Sequence, residues 1–392
     1  MKWETVRLGD VTDSCLGKML DQEKNKGEYQ PYLANLNVRW GYFELDNLSV
    51  MRFEKHEEDR YGLRYGDLIV CEGGDPGRCA IWKDIIPNMK IQKALHRVRV
   101  HDDLDYRFLY YWFLLAGKRG ALEQYFTGST IKHMPGDKLK SIIIEKPPLE
   151  TQKRIADILS AYDDLIENNQ KQIKLLEEAA QRLYKEWFVD LRFPGHEHTA
   201  IVDGVPEGWR KTAISELGEY INGFAFKPSD WTTNGKPIIK IKEMGSGIVQ
   251  NTPRNNGARV PEKYLVKSGD ILFSWSATLM VMIWDNEDGW LNQHIFKVIP
   301  SSDICREFLF QSISKAIHEF SNLTTGATMK HIQRNKLDNV FVSVPNKNIM
   351  DMFNNFSFPI RERILRLSEQ TNLLKQARDR LLPKLMSGEM EV

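Results

Sequence analysis

The feature that most narrows the possible folds is that this chain is written twice. Trp3 with Leu8-Gly9 recurs as Trp209 with Leu217-Gly218, and Tyr61-x-x-Arg64-x-Gly66-Asp67-Leu68-Ile69 recurs 203 residues later as Tyr264-x-x-Lys267-x-Gly269-Asp270-Ile271-Leu272. Thr127-Gly128-Ser129-Thr130-Ile131-Lys132-His133 returns 198 residues on as Thr325-Gly326-Ala327-Thr328-Met329-Lys330-His331. The second offset then holds without insertion, carrying Ile166 onto Ile364, Leu176 onto Leu374 and Leu183 onto Leu381. Each half thus has a front of variable length and a back of fixed length, and the repeat constrains the architecture before any single motif is read.

The back of each half reads as a long helix. From Ile155 the positions Leu159, Tyr162, Ile166, Asn169, Ile173, Leu176, Ala180, Leu183 and Trp187 alternate steps of four and three, which is a heptad seam. The second half keeps that spacing through Ile360, Ile364, Leu367, Thr371, Leu374, Arg378, Leu381 and Leu385, with Pro359 expected to kink or delay the helix. Roughly 40 residues at 1.5 Å each make rods about 60 Å long. Two equivalent rods closing two equivalent domains pair most economically with each other, antiparallel, around a pseudo-twofold axis. Asn169 on the first seam either sets its register or is an exposed polar gap.

The fronts mix short β-like runs (67–70, 97–100, 141–144, 270–273, 296–299 and 340–344) with a helix near 106–116 in the first half and 304–320 in the second. Strands and helices without strict alternation predict an α+β class. The expected architecture is two pseudo-repeated mixed domains separated by two long antiparallel coiled-coil helices in a cyclic pseudo-twofold arrangement. The expected boundaries are 1–147 for the first domain, 148–190 for its rod, 191–205 for a Pro- and Gly-marked linker, 206–345 for the second domain and 346–392 for its rod.

Composition restricts function more than it defines it. Lys plus Arg (54) balances Asp plus Glu (53), so any surface that binds phosphate must come from local clustering. Cys15, Cys71, Cys79 and Cys305 have no CxxC spacing, which argues against a zinc site and a disulfide framework and fits a reducing cytoplasm. His196-x-His198 has no third ligand nearby and reads as a solvated loop, so no metal is expected. Met1-Lys2-Trp3-Glu4 lacks the apolar core of a signal peptide, and the uncharged run 271–284 is too short to span a bilayer. Neither a Walker GxxxxGK[ST] loop nor the Asn/Asp-Pro-Pro-Tyr/Phe motif of amino-methyltransferases is present, and no catalytic site is expected. Gly245-Ser246-Gly247 and Gly73-Gly74-Asp75-Pro76-Gly77 read as turns before they read as phosphate cradles.

Several segments in fixed order carry a family resemblance. They are Gly128-Ser129-Thr130 ahead of Pro147-Pro148-Leu149-Glu150-Thr151-Gln152, then Val189-Asp190-Leu191-Arg192-Phe193-Pro194-Gly195, the restart Pro206-x-Gly208-Trp209, and the ending Leu381-Leu382-Pro383-Lys384-Leu385-Met386-Ser387-Gly388-Glu389. Over its whole length the chain resembles the specificity subunits of type I restriction-modification enzymes. It departs from them at Asn346-Lys347-Asn348-Ile349, where the second rod lacks the usual Glu-Gln start. The resemblance implies two target recognition domains, each reading one half of a bipartite sequence in double-stranded DNA, with the helices setting their separation. It also implies docking of two methyltransferase subunits and of restriction/translocase subunits. S-adenosylmethionine, ATP and Mg²⁺ would belong to those partners, and no cofactor to this chain. The competing reading is a non-catalytic coiled-coil adaptor that joins protein partners without reading DNA.

Candidate contacts follow from residue chemistry. Thr130, Lys132 and His133, with Thr328, Lys330 and His331, offer hydroxyl, ammonium and imidazole donors suited to phosphate, although a motif kept in both halves is equally a structural turn. Base-reading residues belong in the non-matching stretches, where Arg52, Arg78, Arg97, Arg254, Arg259 and Lys263 can donate to guanine edges. Ile166, Ile173, Leu176, Leu183, Trp187, Phe188, Ile364, Leu374, Leu381 and Leu385 are the expected seam and partner-binding residues.

Overall fold

The computed structural model describes residues 3–21, 23, 25–276, 278–323 and 334–392. It divides into two compact units, one formed by residues 1–165 with 374–392 and the other by residues 166–373. The first long helix spans Leu149–Tyr184 and the second Lys347–Met386, so each rod starts in one unit and ends in the other.

The first unit contains a four-stranded antiparallel sheet ordered Thr12–Leu16, Leu95–Val100, Leu68–Cys71, Cys79–Ile81. A second sheet is ordered Ser49–Phe53, Glu28–Leu33, Lys90–Ile91, and its last join is parallel. Glu4–Arg7 pairs antiparallel with Ile143–Lys146. The central run Leu68-Ile69-Val70-Cys71 is wholly buried because both of its faces meet apolar neighbours. Leu68 and Val70 point into the core built around Phe108 and Phe113, and Ile69 and Cys71 into a second core with Leu33, Trp82 and Ile91. A continuous apolar strand is the pattern this double burial requires.

The second unit repeats this plan. Gly218–Asn222, Ile295–Pro300, Ile271–Ser274 and Met280–Ile283 form the antiparallel sheet. Arg254–Asn255, Lys236–Ile239, Gly289–Leu291 and Leu265–Val266 form the second sheet, again with one parallel join, and Arg210–Ala213 pairs with Phe341–Val344. The Gly-Asp motif shared by the halves is a turn that feeds the central strand. Gly66 (φ +88°) and Gly269 (φ +95°) take the left-handed conformation. Asp67 Oδ2 and Asp270 Oδ2 each accept the backbone N–H three residues earlier, at 2.8 Å. The turn is anchored identically, because Trp82 N and Trp284 N donate to the Asp67 and Asp270 carbonyls at 2.8 Å.

Asp105 caps the front helix Tyr106–Lys118 of the first unit by accepting from Arg107 N and Phe108 N. The cap is tied to the start of the first rod by Gln152, whose side chain is fully buried. Its Oε1 accepts from Asp105 N at 2.8 Å, and its Nε2 donates to the carbonyls of Pro147 (2.8 Å) and Asp103 (3.1 Å). At the equivalent position the second rod has Met350, buried in the apolar core of its unit, and Asn346 caps that helix by accepting from Ile349 N at 3.1 Å. The absence of a glutamine there is thus an exchange of a polar tie for apolar packing.

Pro359 neither delays nor breaks the second rod, which runs as one helix from Lys347. The proline and Asn355, whose carbonyl it leaves without a helical donor, are both exposed, so water can satisfy that carbonyl. The first rod ends in a single π turn, Lys185–Val189, closed by Asp190 N donating to the Lys185 carbonyl at 2.8 Å.

Within each unit the two rod segments run antiparallel. In the first, Ile155 and Leu159 share a core with Leu382, Leu385 and Met386, and Asp163 pairs with Arg378. In the second, Trp187 packs on Phe353 with ring centroids 5.8 Å apart, and Asn169 Nδ2 donates to Gln370 Oε1 at 3.3 Å. Asn169 is buried, so of the two sequence readings the exposed gap is excluded.

Candidate nucleic-acid interface

In the first unit, three loops that lie apart in sequence are hydrogen-bonded into one surface. Thr127 and His133 exchange both backbone hydrogen bonds (2.7 and 2.9 Å), closing a loop whose tip residues Ser129 to Lys132 are exposed. Gly128 sits at φ +91°, and a Cβ there would lie 2.3 Å from the Ile131 carbonyl oxygen, so the glycine is required by the turn. His133 bridges to Gly73, and Met134 N donates to the Glu72 carbonyl at 2.7 Å. That places the loop beside the Gly73–Arg78 connection of the central sheet. Asn35, in a one-turn helix at Asn35–Asn37, completes the set. Its Nδ2 donates to the Gly73 carbonyl at 2.6 Å, and its Oδ1 accepts from Arg78 Nη2 at 3.0 Å.

The loop that carries Lys132 is fastened below by His96. Its Nε2 donates to the Met134 carbonyl at 2.9 Å, and burial holds its imidazole below the ordinary histidine pKa, keeping the ring neutral. Above this anchor Lys132 is exposed, 3.7 Å from Glu123 Oε2 and 5.9 Å from the centroid of Phe126. Hydroxyls, an ammonium group and backbone amides on a rigid base form a surface suited to binding phosphate.

The other sequence candidates divide by what holds them. Thr130 and His133 lie on the same loop as Lys132 and are exposed, whereas Arg78 is turned inward as the link between Asn35 and Asp75. Arg97 is buried and donates to the Asp59 carbonyl at 3.1 Å. Its counterpart Lys297 donates to the Leu265 carbonyl at 2.8 Å, so both brace their sheets. Arg52 is exposed on the second sheet, 4.8 Å from the centroid of exposed Tyr29, its cross-strand partner. In the second unit Arg254 is paired with Glu287 at 2.8 Å. Arg259 is exposed with no ion pair among the described residues, and exposed Lys263 lies 5.1 Å from the Tyr264 ring centroid. Thr328, Lys330 and His331 lie outside the described residues.

On the rods, Ile166, Ile364 and Leu385 are buried, while Ile173, Leu176, Leu183, Leu374 and Leu381 are half-buried. Trp187 and Phe188 do not face outward. They belong to the second unit's core, where Phe188 meets Phe308 and Phe353 (each 4.8 Å) and Trp209 (5.8 Å). His196 Nδ1 lies 2.9 Å from the Phe193 carbonyl, so that histidine is engaged within the linker. Burial pushes the thiols of Cys71 and Cys305 up to about 11, the opposite of an activated nucleophile. No helix is long and apolar enough to cross a membrane among the described residues.

Sequence reasoning missed Asn35, His96 and Tyr29. None has a repeat counterpart of the same type, so comparing the halves could not flag them.

The family model described as type I restriction modification DNA specificity domain matches residues 1–178 and again 206–364. The type I restriction enzyme MjaIX specificity subunit of Methanocaldococcus jannaschii is 27% identical over 346 residues, covering 83% of this chain and 78% of that protein. The MjaVIII specificity subunit of the same organism is 26% identical over 414 residues, covering 100% and 93%. Among solved structures, the type I restriction-modification S subunit from M. genitalium shares the fold with a TM-score of 0.59 at 17% identity, covering 98% of this chain and 96% of that one. A duplicated mixed domain, two rods that pair antiparallel within each unit, and one family model matching both repeats lead to the same assignment: the chain belongs to the family of type I restriction-modification DNA specificity subunits.

Proposed function

We propose that this subunit reads a bipartite DNA target, with residues 1–147 and 206–345 each recognising one half-site and the rods at 148–190 and 346–392 holding partner subunits, joined through the linker 191–205. The observation that carries the reading is one scaffold bearing two different loops. The hairpin after the central strand carries Gly73-Gly74-Asp75-Pro76-Gly77-Arg78 in the first unit. At the same place the second unit has Trp275, whose ring lies 5.2 Å from His294 and 5.8 Å from Phe296. Equal scaffolds position equal backbone contacts, and unequal loops read unequal bases. Lys132 is the leading phosphate contact, with Thr130 and His133 beside it. Arg52 with Tyr29, and Arg259 with Lys263, are the exposed candidates for base edges. Arg78, Arg97 and Arg254 support the loops and sheets that present them.

Two methyltransferase subunits are the proposed rod partners, with restriction/translocase subunits joining that complex. Support comes from apolar side chains exposed at repeat-equivalent positions, Ile158 with Phe356 and Leu175 with Leu373. Equivalent faces on the two rods suit two copies of one partner. S-adenosylmethionine, ATP and Mg²⁺ would act in the partners.

Sequencing modified bases in a host that expresses the chain with its modification subunit tests the reading. The expected result is one methylated motif of two short half-sites around an unread gap. An uninterrupted motif overturns the bipartite reading, and absence of sequence-specific methylation from an assembled complex favours the adaptor reading.

A further inference from the structure

The two rods carry opposite charges at several equivalent positions, Lys153 with Asp351, Lys171 with Glu369 and Glu177 with Lys375 among them, and at one such position both side chains are held in ion pairs where the rod meets its unit. Asp163 and Arg361 are equivalent under the 198-residue offset. In the first unit Asp163 accepts from the Tyr111 hydroxyl at 2.7 Å and forms an ion pair with Arg378 of the second rod. Arg378 also contacts Asp379 at 2.9 Å, and Asp379 meets Lys118 of the front helix at 2.5 Å. In the second unit Arg361 is buried and forks onto buried Glu307 of the front helix, at 2.9 and 3.0 Å. The first-rod residue equivalent to Arg378 is Ala180, also buried. The ion pair at this point of the seam is therefore made with the opposite rod in one unit and with the front helix in the other, where Glu177 of the first rod also interacts electrostatically with Arg361.

We propose that this asymmetry is a pairing code by which the first half of the chain selects the second half and refuses a second copy of itself. Consider the second rods of two chains pairing in the same antiparallel register. Each Arg378 would then face the other chain's Arg361, giving two contacts between like charges at half-buried and buried sites. Two first rods would set each Asp163 against Ala180, removing its arginine twice over. Only the pairing of unlike rods answers both Asp163 and Arg378 while leaving Arg361 to Glu307. The code keeps two different fronts on one polypeptide, and it stands whether or not those fronts read DNA.

The test uses the full chain with a protease site inserted at the exposed Asp203-Gly204 turn of the linker. Folded protein is cut, two preparations of different isotopic mass are mixed through a denaturant cycle, and the re-formed pairs are counted by native mass spectrometry. Wild type should give only pairs of a first with a second half. The double variant Asp163→Arg/Arg378→Asp preserves the ion pair within the chain but makes contact between two second halves attractive at Arg361. It should yield second-half self-pairs at a tenth of all complexes or more, and no first-half self-pairs. Pairing in the variant identical to wild type, or random pairing in wild type, overturns the code and leaves a fold-stabilising contact only. If cut halves fail to re-form pairs, light scattering of the uncut chain during refolding reads the same contrast. The double variant should then dimerise at a concentration at least tenfold lower than wild type, and equal concentrations overturn the proposal.

Discussion

His96 is the residue through which acid should reach the Lys132 loop. The folded protein holds it neutral with its Nε2–H on the Met134 carbonyl, so its folded pKa is below the ordinary value of about 6.5. The unfolded chain therefore takes up the proton first as pH falls. The stability that His96 contributes is complete above about pH 6.5 and is lost as pH drops through that value toward the lower folded pKa. His96→Gln, which keeps a donor but does not titrate, should match wild type at pH 8 and lose less thermal stability between pH 7 and 5.5. Parallel pH profiles for the two proteins would remove His96 from this role. Such anchors were the least legible part of the sequence. Gly66-Asp67 and Gly269-Asp270 announce their turn because the turn dictates both residue types. Asn35 and His96 act through contacts 38 residues away, and nothing in their local sequence marks them.

Among the elements, the rods were read most directly, since a heptad stripe and a Pro-Pro-x-x-x-Gln start constrain a helix over many residues at once. The stripe did not reveal which of its members a front encloses. Trp187 and Phe188 sit at the end of the first rod, yet the π turn and the restart at Trp209 enclose them in the second unit's core. Nor did it reveal that Pro359 falls on an exposed face where a helix tolerates it. Gln152 shows why one start motif takes the form it does, because three backbone groups depend on its side chain. Gln152→Ala should destabilise the protein by about 2–3 kcal/mol, the expected cost of leaving buried backbone groups unpaired. Chemical denaturation measures this. A loss below about 0.5 kcal/mol would show that water or a neighbour replaces the amide.

For the whole molecule, the repeat predicted two equivalent bodies, and the family model matches both. Comparison of the halves suggested that each front closes with its own rod. The compact units are instead cut inside both rods, after Leu165 and after Leu373. Each front packs on the first half of its own rod and the last half of the other, a division that no single repeat encodes. The central claim is that two fronts with one scaffold and different loops read two half-sites independently. The direct measurement is the methylated motif after residues 206–345 are replaced by the corresponding front of another family member, with both rods left intact. The account predicts that one half-site changes to the donor's and the other is retained. A motif in which both half-sites change, or in which neither does, from a complex that assembles and methylates, would contradict it.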